Sequence, residues 1–112
     1  MHELSIAENI IKSVEQIARQ KKLDKIRSVT VEVGPLSGVV EESLEFCFPH
    51  AVAASFLDGM ELKIESIPFE VSCRHCHRHS SPELLMFLCQ HCGSSDVEEV
   101  AGRELRIKSI EV

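Results

Sequence analysis

The chain has 112 residues, a hydrophobic fraction of 44% and a formal net charge of −6 at pH 7. That length fits one domain, or one domain with a small insert, and the composition is that of a globular chain rather than a disordered one. The acidic balance speaks against nonspecific binding to nucleic acid or anionic membrane, both of which reward a basic patch, and without Trp or Tyr only the five Phe rings are available for base stacking.

The opening MHELSIAENI has no basic n-region and no signal-peptide h-region, and no apolar run approaches the length of a membrane span. A cytoplasmic protein is expected. His2 and Glu3 precede Ser5-x-x-Glu8, a capping box that predicts a first helix to about Arg19. Ile6, Ile10, Val14 and Ile17, with Ala7, Ile11 and Ala18 beside them, form its apolar stripe. SVTVEVG then alternates, with Val29, Val31 and Val33 on one face, and predicts a half-buried strand ended by Gly34-Pro35. Helical spacing returns at Val40, Leu44, Cys47 and Phe48. Pro49 predicts a kink or break, with HAVAASF as a second half. Cys47, on the apolar stripe, reads as a small buried hydrophobe.

Glu61–Ile67 (ELKIESI) and Glu104–Ile110 (ELRIKSI) are identical at five of seven positions, and both start as alternating strands. Two short strands make one sheet, not a repeat array. The segment between them is then an insertion. The expected fold is α+β: two helices packed on a small three-stranded sheet, with a zinc-ribbon-like module inserted before the last strand. The expected domains are 1–67 with 103–112, and 68–102.

The insert carries Cys73-x2-Cys76 and, after twelve intervening residues, Cys89-x2-Cys92. Four thiolates in tetrahedral reach suit structural zinc, and an insert this short needs a metal to supply folding free energy. Gly93 fits a tight turn with positive φ. A closed four-thiolate site leaves no open position for hydrolytic chemistry. His75, His77, His79 and His91 flank the knuckles. Solvated side chains are the plain reading for them; ligand exchange or a second metal is the alternative. Paired redox dithiols are a further alternative for the cysteines.

At the N-terminus, the Met1 amine, the His2 backbone nitrogen and the His2 imidazole form a tetragonal nitrogen set that favours Ni(II) or Cu(II), with Glu3 offering a carboxylate oxygen or another backbone nitrogen. HExxH is not met, because residue 6 is Ile.

MHELS, VEVGPLSGVVEESLEFCF, two CxxC knuckles and the closing ELRIKSIEV together resemble the HypA/HybF family of nickel metallochaperones for [NiFe]-hydrogenase maturation. The resemblance covers essentially the whole chain. It implies a nickel-binding α/β domain with His2 as the key nickel ligand, completed or supported by Met1 and Glu3. It also implies structural Zn(II) on Cys73, Cys76, Cys89 and Cys92. Ni(II) is cargo, with the HypB GTPase and the hydrogenase large-subunit precursor as partners and, in some bacteria, urease maturation proteins. Neither nucleic acid nor membrane is implied as a partner. Arg74 and Gln90 stand where family knuckles often carry proline, and Pro49 where related sequences continue a helix. The implied role is that of a carrier, not an enzyme. The competing readings are a zinc-ribbon module for protein or nucleic-acid interaction, and a thiol redox sensor.

Overall fold

The computed structural model describes residues 2–112, and the side chains of residues 3–112. Two α-helices and six strands follow one another as α1 (His2–Gln20), β1 (Ser28–Val33), α2 (Glu41–Val52), β2 (Glu61–Ser66), β3 (Glu70–Cys73), β4 (His79–Ser80), β5 (Val97–Ala101) and β6 (Leu105–Glu111), with a short 3-10 turn at Glu83–Leu85 between β4 and β5. The strands form two three-stranded sheets, ordered β2-β1-β6 and β4-β3-β5. The chain divides into two compact units. One comprises residues 1–32, 39–65 and 106–112, the other residues 33–38 and 66–105.

In the first unit, α1 begins at His2, so Ser5 lies inside the helix and caps nothing. The expected capping box is overturned for a physical reason: the buried stripe starts one turn earlier. Glu3, Ala7, Ile10, Ile11, Val14 and Ala18 are all buried, at helical spacing. Ile6 and Ile17 lie at the margin of that stripe, half-buried. The helix packs against α2, whose Leu44, Cys47, Phe48 and Val52 are buried. Val29 and Val31 of β1 are fully buried, as the alternation requires.

The two similar segments lie in one sheet, but on opposite sides of β1. The Glu61 N–H donates to the Arg27 carbonyl and the Ile67 N–H to the Val33 carbonyl, a constant offset that makes β2 parallel to β1. The Arg27 N–H donates to Glu111 and the Gly34 N–H to Glu104, so β6 runs antiparallel. A parallel neighbour demands a crossover, and α2 supplies it.

Pro49 does not break α2. The helix continues to Val52, and the Ala53 N–H donates to the Pro49 carbonyl at 3.2 Å. Pro49 falls in the last turn, where its missing N–H forfeits a single bond, to the Glu45 carbonyl. The expected second half is shorter than HAVAASF: only His50–Val52 is helical, and turns follow.

In the second unit, the segment after β1 is pinned by distant backbone. The Leu36 N–H donates to the Gly102 carbonyl at 2.6 Å, and the Ser37 N–H to the Gly34 carbonyl at 3.1 Å. A Cβ on Gly34 would run into the Gly102 carbonyl. β3 pairs antiparallel with β4 and with β5, bringing Val71 opposite Ser80 and Cys73 opposite Val97. The buried apolar side chains here are few: Val33, Phe69, Val71, Cys73, Pro82 and Cys89.

Candidate metal centre

Cys73 ends β3, and Cys76 follows in the turn toward β4. Cys89 and Cys92 occupy the second knuckle before β5. The fold brings all four together, with their sulfur atoms within 4.8 Å of one another. The Cys73–Cys92 and Cys76–Cys89 Sγ separations are both 3.6 Å. An ion held tetrahedrally at the usual Zn–S distance sets sulfur–sulfur edges of about 3.8 Å. The donor set therefore fits a tetrahedral thiolate site as it stands.

Each knuckle aims backbone N–H groups at its first sulfur. The N–H groups of His75 and Cys76 donate to Cys73 Sγ at 3.3 and 3.4 Å, and that of His91 to Cys89 Sγ at 3.3 Å. N–H donors favour thiolate over thiol. The Cys89 thiol is held down to about 6, first by the backbone N–H of Cys92 and then by that of His91, against desolvation. Cys73 is lowered likewise, by the N–H of Cys76, against desolvation, and by that of His75. Cys92 is pushed up to about 12: the Ser94 N–H opposes the rise, but desolvation and the three neighbouring sulfurs outweigh it. Cys76 is raised, chiefly by desolvation. Four sulfurs this close cannot all carry charge without a cation among them, which is the electrostatic case for a bound divalent ion.

The knuckles repeat one backbone pattern. The His77 N–H donates to the Cys73 carbonyl at 3.0 Å, and the Gly93 N–H to the Cys89 carbonyl at 2.9 Å. The Cys73 N–H returns to Arg78 O, and the Cys89 N–H to Ser94 O, both at 2.9 Å. The fifth residue of each turn is left-handed, at φ 76° for Gly93 and φ 63° for His77. Gly93 was legible as such a residue from its type; His77 was not.

At the two positions where the resemblance implied proline, the backbone N–H groups are in use. The Arg74 N–H donates to the Asp96 carbonyl at 3.0 Å, and the Gln90 N–H to Ser80 Oγ at 3.3 Å. Proline can make neither bond. The Arg74 guanidinium also reaches Asp96 Oδ1 at 3.0 Å and Glu98 at 3.7 Å, tying the first knuckle to the approach to β5. Of the histidines, His79 pairs through Nδ1 with the Glu70 carboxylate, and His91 Nε2–H donates to the His79 carbonyl at 3.1 Å. His75 and His77 are exposed.

Cys47 lies apart, buried in α2. At the N-terminus, Met1 and the His2 side chain lie outside the described residues. Glu3 is buried, and its Oε2 accepts from the Val40 N–H at 3.4 Å, where α2 begins. Among the described residues, the four knuckle cysteines are the one cluster of His, Cys, Asp or Glu with metal-holding geometry.

A family model described as "Hydrogenase/urease nickel incorporation, metallochaperone, hypA" matches residues 1–112. The chain belongs to the HypA family. The HypA protein of Streptomyces avermitilis, a hydrogenase maturation factor, is 42% identical over 98% of this chain and 86% of its own length. That of Geobacter sulfurreducens, with the same description, is 38% identical over 100% and 99%. The solution structure of the Ni metallochaperone HypA from Helicobacter pylori is similar with a TM-score of 0.67 at 26% identity, covering 97% of this chain and 95% of that one. A second HypA solution structure gives a TM-score of 0.73 at 27% identity, over 99% and 95%.

Proposed function

We propose that the chain binds one Ni(II) at its N-terminus and delivers it during maturation of [NiFe]-hydrogenase, while Cys73, Cys76, Cys89 and Cys92 hold a structural Zn(II). The observation that carries the reading is the match to the nickel-incorporation family from residue 1 to residue 112, so that MHELS lies within it. His2 supplies an imidazole and a backbone nitrogen, and Met1 supplies its amine. The helical start supports this donor set. The first N–H groups of an α-helix have no intrahelical acceptor, and α1 starts at His2. Using a backbone nitrogen there costs no helical hydrogen bond. Glu3 supports rather than completes the site: its carboxylate is buried against the Val40 N–H and holds the start of α1 in place.

Zinc supplies folding free energy to the second unit, whose apolar core is otherwise small. Its closed thiolate set argues for structure, not hydrolysis. A terminal nickel site with few ligands suits a carrier, because a recipient's donor atoms can enter before the carrier's own leave. The partners in this reading are the HypB GTPase and the hydrogenase large-subunit precursor, with urease maturation proteins a further recipient in some bacteria. The setting is the cytoplasm. No helix among the described residues is long and apolar enough to cross a membrane.

The test is nickel titration of the zinc-loaded, tag-free protein with its native N-terminus, beside His2→Ala. One equivalent bound by the wild type and lost in the variant, with zinc content unchanged, is the expected result. Equal binding by both overturns the N-terminal assignment.

A further inference from the structure

A groove of about 570 Å³ opens beside β2, between α2 and the turn that leads into the strand. Its floor is apolar, with Phe48, Met60 and Leu62 among its walls. Its charged lining is of one sign: Glu45, Asp58 and Glu61 contribute carboxylates, and no lysine or arginine is among the described residues that line it. All of it lies within the first unit.

The backbone of β2 points to what fits there. β2 is an edge strand, with β1 on one side only. The Glu61 N–H faces β1, where it donates to Arg27 O at 2.9 Å. Strand alternation therefore turns the N–H and C=O groups of Leu62 and Ile64 toward the open edge. An unpaired strand edge beside an apolar trough is a template for strand addition, in which main-chain bonds give affinity and alternate side chains give specificity.

We propose that this groove takes an extended, lysine- or arginine-bearing segment of a partner protein, which adds as a fourth strand along β2. An apolar side chain of that segment enters the trough over Phe48, Met60 and Leu62. Flanking cationic side chains meet Glu45, Asp58 and Glu61. The three carboxylates select a basic segment over an acidic one. They also discourage a second copy of this chain from docking edge to edge, since the same carboxylates would face one another. The proposal is independent of the nickel reading.

The experiment follows the backbone amides of the zinc-loaded protein by NMR while an acetylated, amidated pentapeptide of alternating lysine and valine is added. The expected result is shifts centred on Leu62 and Ile64, with slowed hydrogen exchange at both. The double variant Glu45→Lys/Glu61→Lys should bind about tenfold more weakly, two ion pairs being lost. The glutamate–valine counterpart should not bind. Methylating the backbone nitrogen of the central valine removes a strand donor and should abolish binding with the protein untouched. Equal binding of the acidic peptide overturns the charge assignment. Undiminished binding of the N-methyl peptide, or shifts that map elsewhere, overturns strand addition. A dimer at NMR concentration that protects the same two amides without peptide assigns the edge to a second copy instead, and likewise overturns the proposal.

Discussion

His77 and Gly93 hold the same place in two knuckles with the same hydrogen bonds, yet only one is glycine. The left-handed backbone disfavours any residue with a Cβ by roughly 1–2 kcal/mol. Nothing lies within 4 Å of where a Cβ on Gly93 would sit, so the cost of adding one is conformational alone. Gly93→Ala should weaken zinc binding about fivefold, an effect of about 1 kcal/mol, because folding of the knuckle and metal binding are one equilibrium. Competition against a zinc chelator measures it. An unchanged affinity would mean that the ion alone dictates the turn. Glu3 teaches the complementary lesson at this scale. In sequence it reads as a carboxylate or backbone-nitrogen donor beside the N-terminal nickel set, and only the structure shows it buried, with its carboxylate accepting from the Val40 N–H 37 residues away. No local pattern encodes such a pair.

Among elements, α2 is the informative one. Helical spacing at Leu44, Cys47 and Phe48 was correctly legible, because the same stripe that buries these side chains sets the period, but Val40, read as part of that stripe, is exposed at the N-cap with extended backbone. The position of its end was not. A proline inside a helix costs about 3 kcal/mol in mid-helix, which argues for a break. At Pro49 only the final turn is affected, and the buried Phe48 and Val52 on either side of it hold that turn against the core. Pro49→Ala should therefore stabilise the protein, by about 1 kcal/mol, since it restores a bond to Glu45 in a helix already formed. Thermal melting checks the sign. A lower melting temperature would show that the proline is matched to its surroundings and not merely tolerated. The strands show the same division. Alternation located β2 and β6, and their shared ELxIxSI pattern placed them in one sheet. Their opposite directions beside β1 depended on chain connections through α2 in one case and through the second unit in the other.

On the scale of the whole molecule, two units draw their stability from different sources. The first buries apolar stripes from two helices and the centre of a sheet. The second buries little besides Val33, Phe69, Val71, Pro82 and two of its own cysteines, with the edge-on Phe69–Phe87 pair at 5.2 Å. A core that small does not offset the conformational entropy of ordering about forty residues at roughly 1–2 kcal/mol each. Removing zinc with a strong chelator should collapse the dispersed amide signals of residues 66–105 while the helical circular dichroism of α1 and α2 persists. Cooperative loss of both would show that the units do not stand apart energetically. Cys73→Ala should reproduce the effect of chelation.

The amino-acid sequence by itself determined the periodic elements, the four thiolates and the turn glycine, because each depends on residues close along the chain. It also carried the family, since the N-terminal MHELS, the GPLSG and EESL segments and the paired knuckles are read without coordinates. What only the tertiary structure decided were the facts that join distant residues. Gly34 and Leu36 bind the backbone at residues 102 and 104. The Arg74 and Gln90 N–H groups find Asp96 and Ser80, bonds that proline could not make. The Glu3 carboxylate reaches Val40. The free edge of β2 exists because β1 lies between two similar strands, and that order is set by crossover geometry and side-chain burial, which no short-range pattern contains.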